Sequence, residues 1–430
     1  MKRVKKIIQL CFALLTVVTV VAVAKIDTTA AEKQITGVKQ KSAKTNSVTI
    51  EWNTDGLSSG YEIVSYQRQE SNGTWGTVQT VQTTTTGSVE GYRTIGDLTS
   101  GSTYRVSVEI YGSYNAVNKV YSNRLAYTAN PIEVVTKPGK YTSFAIKQTA
   151  ATTTSATVAW NACPGANCYE VKYGSSGAST TKTTYTTGTS IKLSGLTKNK
   201  SANVYVTPCR KASKDFVADS SNKKGLSTVV VPSKPGIKYT SISEKELTIH
   251  AKDNSNYYVD GFEYDIYKVS GNKRIKLLKP NSSASYCTYT NKAFAKNDLF
   301  KVKVRAYAKA ADGKKYYTGW SSWNYFSTDK IIKSVNNKGS KGIEVKWNKI
   351  NGASGYKVYV GTKNDSKKYK VVATIKKGST TSTTFKKYNK KALKNGQRYY
   401  VYVKPYYKSG KKTYDVVNGY YKYGYLTYKK

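Results

Sequence analysis

The sequence predicts an all-β chain: four tandem seven-stranded β-sandwich modules behind a signal peptide. Three observations carry this. The residue palette favours strands, since 39 residues are Tyr, aromatics reach 12%, and Thr, Ser and Val are abundant; β-branched and aromatic side chains fit a pleated surface. Apolar residues alternate with period two between turn-rich stretches, the pattern of antiparallel strands with one buried face. The same frame returns about every 98 residues, the size of one sandwich module.

The length of 430 residues allows about three or four domains. A hydrophobic content of 39% is enough for packed cores, and 8 Pro with 32 Gly exclude a collagen-like or low-complexity chain.

Each copy is justified by its own residues. Leu98 is followed six positions later by Tyr104, then by Val106, Val108, Ile110 and Tyr111 in alternation. The second copy runs Leu196, Ala202, Val204, Val206, Pro208, Cys209 and the third Phe294, Phe300, Val302, Val304, Ala306, Tyr307. The fourth is Leu393, Tyr399, Val401, Val403, Pro405, Tyr406. Upstream, Val48, Ile50 and Trp52 alternate on one face, as do Ala156, Val158, Trp160 and Ile343, Val345, Trp347. Beyond each Trp position comes an aromatic: Tyr61, Tyr169, Phe262 and Tyr356.

A Trp on the second strand, an aromatic on the third and Leu-x5-Tyr-x-Val-x-Val entering the sixth resemble the fibronectin type III domain. The tandem array resembles secreted bacterial proteins of that kind. The resemblance covers residues 35–430 and implies an immunoglobulin-like, two-sheet sandwich with a tyrosine corner at Leu-x5-Tyr. It divides the chain into modules 35–131, 136–235, 236–330 and 331–430 after a signal segment 1–31. Ala202 replaces the corner Tyr of the second module, and Phe300 keeps only the ring in the third. The third also has Ala251 at the Trp position, which predicts a differently packed core and a displaced first strand. The linkers are short: Ala129 to Pro138, Pro232 to Pro235, and the stretch near Asp329. An elongated array with restricted bending follows.

The first residues, with Lys2, Arg3, Lys5 and Lys6 before an apolar run from Ile7 to Ala24, read as a signal peptide. Cleavage falls after Ala24 or after Ala31, and an uncleaved anchor is the alternative reading. No second apolar run follows, so no stable membrane span is expected once the segment is removed. The chain is read as secreted and cell-surface associated.

The net charge of +45 is uneven: about +1 over 35–131, +11 over 136–235, +8 over 236–330 and +22 over 331–430. Such a field draws anionic polymers and is screened by salt. Nucleic acid is not expected as a partner, because Lys dominates over Arg and no recognition motif occurs.

Cys163, Cys168, Cys209 and Cys287 follow the leader. Gly60, Gly261 and Gly355 stand just before the third-strand aromatic, and Tyr111, Tyr307 and Tyr406 end the sixth strand. The resemblance makes these strands neighbours, with a ring lying over a strand glycine. The second module replaces both members, by Cys168 and Cys209, which implies a cross-strand disulfide. Cys163–Cys209 pairing and no bridge at all are the other readings; Cys163 aligns with Ile350 as a small buried hydrophobe.

His250 is the sole imidazole. It lies on a strand with Leu247, Ile249 and Ala251 inward, so an outward, non-catalytic His is expected. No nucleophile–base pair and no carboxylate pair stands out among the 25 acids, so neither an enzyme nor a metal or cofactor site is predicted. Gly319-Trp320-Ser321-Ser322-Trp323-Asn324 resembles, with Asn in place of the final Ser, the Trp-Ser-x-Trp-Ser box of cytokine-receptor fibronectin modules. Lys303 and Arg305 alternate outward beside it, which predicts a cation–π ladder; an exposed sugar-binding platform is the alternative.

The run from Gly419 to Lys430 is the densest in Tyr and Lys. It reads as a final strand with one face packed, and also as an adhesive surface in which Tyr421, Tyr423, Lys422, Lys429 and Lys430 contact a ligand. The expected function is non-enzymatic binding or adhesion, with the basic fourth module held to an anionic surface polymer or glycan. The alternative is a soluble signalling ligand for a cell-surface protein on a host.

Overall fold

The computed structural model describes residues 31–430, leaving out 84–86, 180, 213–216, 253–258, 281–282, 329–330, 366–367 and 417–422. The expected signal segment, with Ala24, and the tail residues Tyr421 and Lys422 lie outside the described residues. Among the described residues no helix is long and apolar enough to cross a membrane.

The alternating segments form strands because each buries one face. Val48, Ile50 and Trp52 point inward, as do Ala156, Val158 and Trp160, and Ile343, Val345 and Trp347. Four main cores result, each between two sheets that are antiparallel except where Lys33–Gln34 pairs parallel with Val120–Tyr127 in the first. In the second, Ile146–Ala151, Ser155–Trp160 and Ser190–Ser194 make one sheet. Lys182–Thr186, Cys168–Ser175 and Ala202–Lys211 make the other, with Val217–Asp219 and Lys224–Thr228 pairing successive stretches of the third strand named. The third and fourth repeat this order. First beside second and fifth, and fourth-third-sixth-seventh opposite, is the fibronectin type III and immunoglobulin-like sandwich order.

The tyrosine corner is present where the sequence has it: the Thr99 N–H donates to Tyr104 Oη at 2.7 Å, and the Lys394 N–H to Tyr399 Oη at 3.0 Å. A second anchor recurs in two cores. The Cys163 N–H donates to Tyr169 Oη at 3.0 Å and the Ile350 N–H to Tyr356 Oη at 2.9 Å. Cys163 and Ile350 are thus equivalent and equally buried.

Two expectations are corrected. In the first sandwich Tyr61, not Gly60, lies opposite Tyr111, whereas Gly261 and Gly355 do face Tyr307 and Tyr406. Nine positions separate Trp52 from its cross-strand partner position, against eight from Trp160 to Cys168 and from Trp347 to Gly355. One extra loop residue turns every following side chain to the other face. Glu62 therefore occupies the inward site held elsewhere by Tyr169, Phe262 and Tyr356, and its carboxylate is paired with Arg93. Tyr61 turns outward, against Tyr114 and Tyr121.

The second correction is in the third sandwich, where the first strand is not displaced. Gly236–Ser243 pairs regularly with Glu246–Lys252, with a bulge between Ile237 and Tyr239. The core is repacked instead. The volume that Ala251 leaves is filled by Phe262, Phe294, Phe300 and Phe326, with Phe300 centroids 5.2 Å from Phe294 and 5.5 Å from Phe326. Close packing restored by these rings removes any force that would move the strand.

Neighbouring sandwiches touch through the end of the sixth strand and the hairpin that follows it. Ala212 packs on Ala43 and Val135, and Ala308, Ala310 and Tyr316 pack on Val229. Tyr316 Oη donates to the Gln148 carbonyl at 3.0 Å, and Tyr407 stacks on Tyr325 at 4.8 Å.

Candidate ligand-binding face

The fourth sandwich carries the candidate face. Its sixth strand, Arg398–Ser409, buries Tyr399, Val401 and Val403. The alternation sends Arg398, Tyr400, Tyr402 and Lys404 to the opposite side of the sheet. Gly355–Gly361 adds Tyr359 to that side, and Gly424–Thr427 adds Tyr425, which pairs opposite Tyr400.

The rings form a band. Tyr402 stacks on Tyr359 at 4.6 Å and 9°, and on Tyr369 at 5.2 Å and 30°. Tyr400 lies 5.6 Å from Tyr423 and 5.9 Å from Tyr425. Gly361 permits this, because a Cβ there would meet the Tyr369 ring at 2.5 Å. Asn364 ties the two groups: its Nδ2 donates to Tyr423 Oη at 2.8 Å, and its Oδ1 accepts from Tyr369 Oη at 3.5 Å. Burial pushes the Tyr369 hydroxyl up to about 12, so that ring stays neutral at physiological pH. The Arg398 guanidinium sits 5.3 Å over the Tyr425 ring.

The last strand and the first strand of this sandwich, Ile332–Asn337, are edges of opposite sheets. Between them opens a cleft of about 500 Å³ lined by Ile332, Lys333, Ser334 and Val335 on one side and Tyr423, Gly424 and Tyr425 on the other. Gly424 is required for that approach, since a Cβ would meet Val335 Cγ2 at 2.5 Å.

Charge is distributed one way. Residues 331–430 hold 25 Lys and Arg against three acids. Asp415 faces Lys357 at 3.0 Å, Asp365 faces Lys368 at 3.5 Å, and Glu344 faces Lys338 and Lys346 at 3.6 Å. Hydrogen bonding from Asn336, then the nearby lysines, holds the Glu344 carboxyl below its usual range. Lys333, Lys376, Lys377, Lys386, Lys387, Lys411 and Lys412 are exposed.

The residues that the sequence proposed for contact are split by the structure. Tyr423 is exposed just before the last strand, in the band. Lys429 and Lys430 are exposed at its other end, about 20 Å away at roughly 3.3 Å per residue. There the Lys429 carbonyl accepts from Asn337 and the Lys430 N–H donates to Asn395. Sequence reasoning missed Tyr359, Tyr369, Tyr400, Tyr402 and Arg398. The signal for Arg398, Tyr400, Tyr402 and Tyr359 is the outward phase of the alternation in their strands, whereas Tyr369, which precedes Lys370–Ile375, has no such signal.

Elsewhere, Cys168 and Cys209 are register partners with Sγ atoms 2.7 Å apart. The ladder beside Trp320 and Trp323 is present. Lys303 Nζ lies 4.8 and 4.7 Å over the two rings, and Arg305 lies 4.6 Å over Trp320 and 3.9 Å over Tyr317. Arg305 also donates twice to the buried Glu263, at 2.9 and 2.6 Å. His250 is half-buried and stacked at 4.1 Å on Tyr239. Among the described residues no three His, Cys, Asp or Glu gather as a metal site.

No family model and no curated protein matches the chain. Solved structures do, among them the FN1–FN3 domains of chicken CNTN1. They match with 14% identity and a TM-score of 0.23, covering 64% of this chain and 97% of that one. No function is taken from that likeness.

Proposed function

We propose that this is an exported, non-enzymatic binding protein, retained on a surface by attraction between its basic C-terminal sandwich and an anionic polymer. The observation that carries this is the charge imbalance of residues 331–430. Their three carboxylates already face lysines, so the remaining positive charge is directed outward. A field of this sign raises the local concentration of polyanions and weakens steeply with salt, because exposed charges are screened beyond about 8 Å at physiological ionic strength.

The test compares residues 31–430 with residues 31–330 on anionic cell envelopes across a salt series. Retention of the long chain in low salt, release as salt rises, and no retention of the short chain are expected. Equal retention of both would sink the reading.

A further inference from the structure

We infer that the cleft between Ile332–Asn337 and Gly424–Thr427 is a binding site for an acidic polysaccharide built of pyranose rings that carry carboxylates. This deepens, and rests on, the charge-driven retention proposed above.

Four observations converge on that ligand. Tyr423 and Tyr425 are 43% and 59% exposed, high for rings that stand in a band of packed neighbours. An aromatic face offers a flat apolar surface, suited to the C–H face of a sugar ring. Cations flank the rings: Lys333 on the facing wall, and Arg398 over Tyr425. A planar guanidinium matches a carboxylate bidentately, while an ammonium acts as a point charge. Both walls are also edge strands, whose outer backbone groups are available to sugar hydroxyls. Finally, the cleft lies between two sheet edges and, at about 500 Å³, has room for a sugar residue beside Tyr423 and Tyr425.

The rings decide between anionic polymers. A polyglutamate or a glycerol-phosphate chain would satisfy the cations but has no ring to place on Tyr423 and Tyr425. A pyranose uronate satisfies both.

The experiment measures binding of residues 31–430 to polygalacturonate, to polyglutamate and to a glycerol-phosphate polymer, at physiological salt. The double variant Tyr423→Ala, Tyr425→Ala should bind polygalacturonate at least tenfold more weakly and leave the other two unchanged. Tyr425→Phe, which keeps the ring, should bind as the parent does. An unchanged thermal midpoint shows that the exposed substitutions leave the sandwich folded; if the double variant unfolds, Tyr425→Ser and Tyr425→Phe are compared in its place. Equal weakening on all three polymers, or no weakening on polygalacturonate, overturns the polysaccharide site while charge-driven retention stands. Failure of the parent chain to bind any of the three overturns both readings.

Discussion

Oxidation is expected to join Cys168 to Cys209 and to leave Cys163 and Cys287 as thiols. The two partners are opposite each other on adjacent strands, with sulfurs 2.7 Å apart. With oxidised glutathione as the oxidant, one of the two, as its thiolate, forms a mixed disulfide and expels one glutathione. The other then gives up its proton, attacks the first sulfur and expels the second glutathione. The bridge spans 41 positions. In the chain-entropy view a loop of that size is worth about 13 cal/mol/K, or about 4 kcal/mol at 25 °C. For a sandwich of ordinary size this corresponds to a rise in unfolding temperature on the order of 10 °C or more. The assay is peptide mapping after alkylation in denaturant, with thermal unfolding of residues 31–430 in the presence and absence of reductant. Four alkylated thiols after incubation with oxidised glutathione would refute the reasoning. So would a Cys163–Cys209 peptide, or a midpoint that ignores reductant.

Other consequences follow from single side chains. Arg305→Met should cost about 3–5 kcal/mol in denaturant unfolding, because it strands a fully buried Glu263. Adding Glu263→Leu should recover much of that loss, and no recovery would mean that the aromatic ladder is what matters. His250, the one histidine, has its pKa lowered by burial and then by Lys238. The unfolded chain then binds more protons near pH 6, so stability is full above about 6.5 and falls as pH drops toward the folded value. His250→Gln should flatten the denaturant midpoint between about pH 5.5 and 7; a slope identical to the parent's would contradict the assignment.

Much of this fold could be read along the chain, because its causes are local. Alternation of Val158 with Trp160, or of Val401 with Val403, states which face is buried whatever the neighbours are. The six-residue step from Leu98 to Tyr104 encodes its own hydrogen bond, which closes on the backbone five residues back. Even the Cys168 and Cys209 juxtaposition was readable, since a repeated frame turns position into register.

What could not be read depends on distances in space. Whether Gly60 or Tyr61 meets Tyr111 turns on a single loop residue, and a one-residue slip inverts a strand without changing its alternation. The loss of Trp at Ala251 reads as a void along the chain, but the rings that fill it arrive from other strands. The tyrosine band and its cleft are of the same kind. Tyr359 and Tyr402, 43 positions apart, meet because their strands pair, and Lys333 and Tyr425 come together because two edges of opposite sheets converge at Gly424. Periodicity and charge, being properties of neighbours along the chain, established the strands, the repeats and the basic last sandwich. Which side chains share a surface was settled by packing, which acts between strands that the chain order keeps apart.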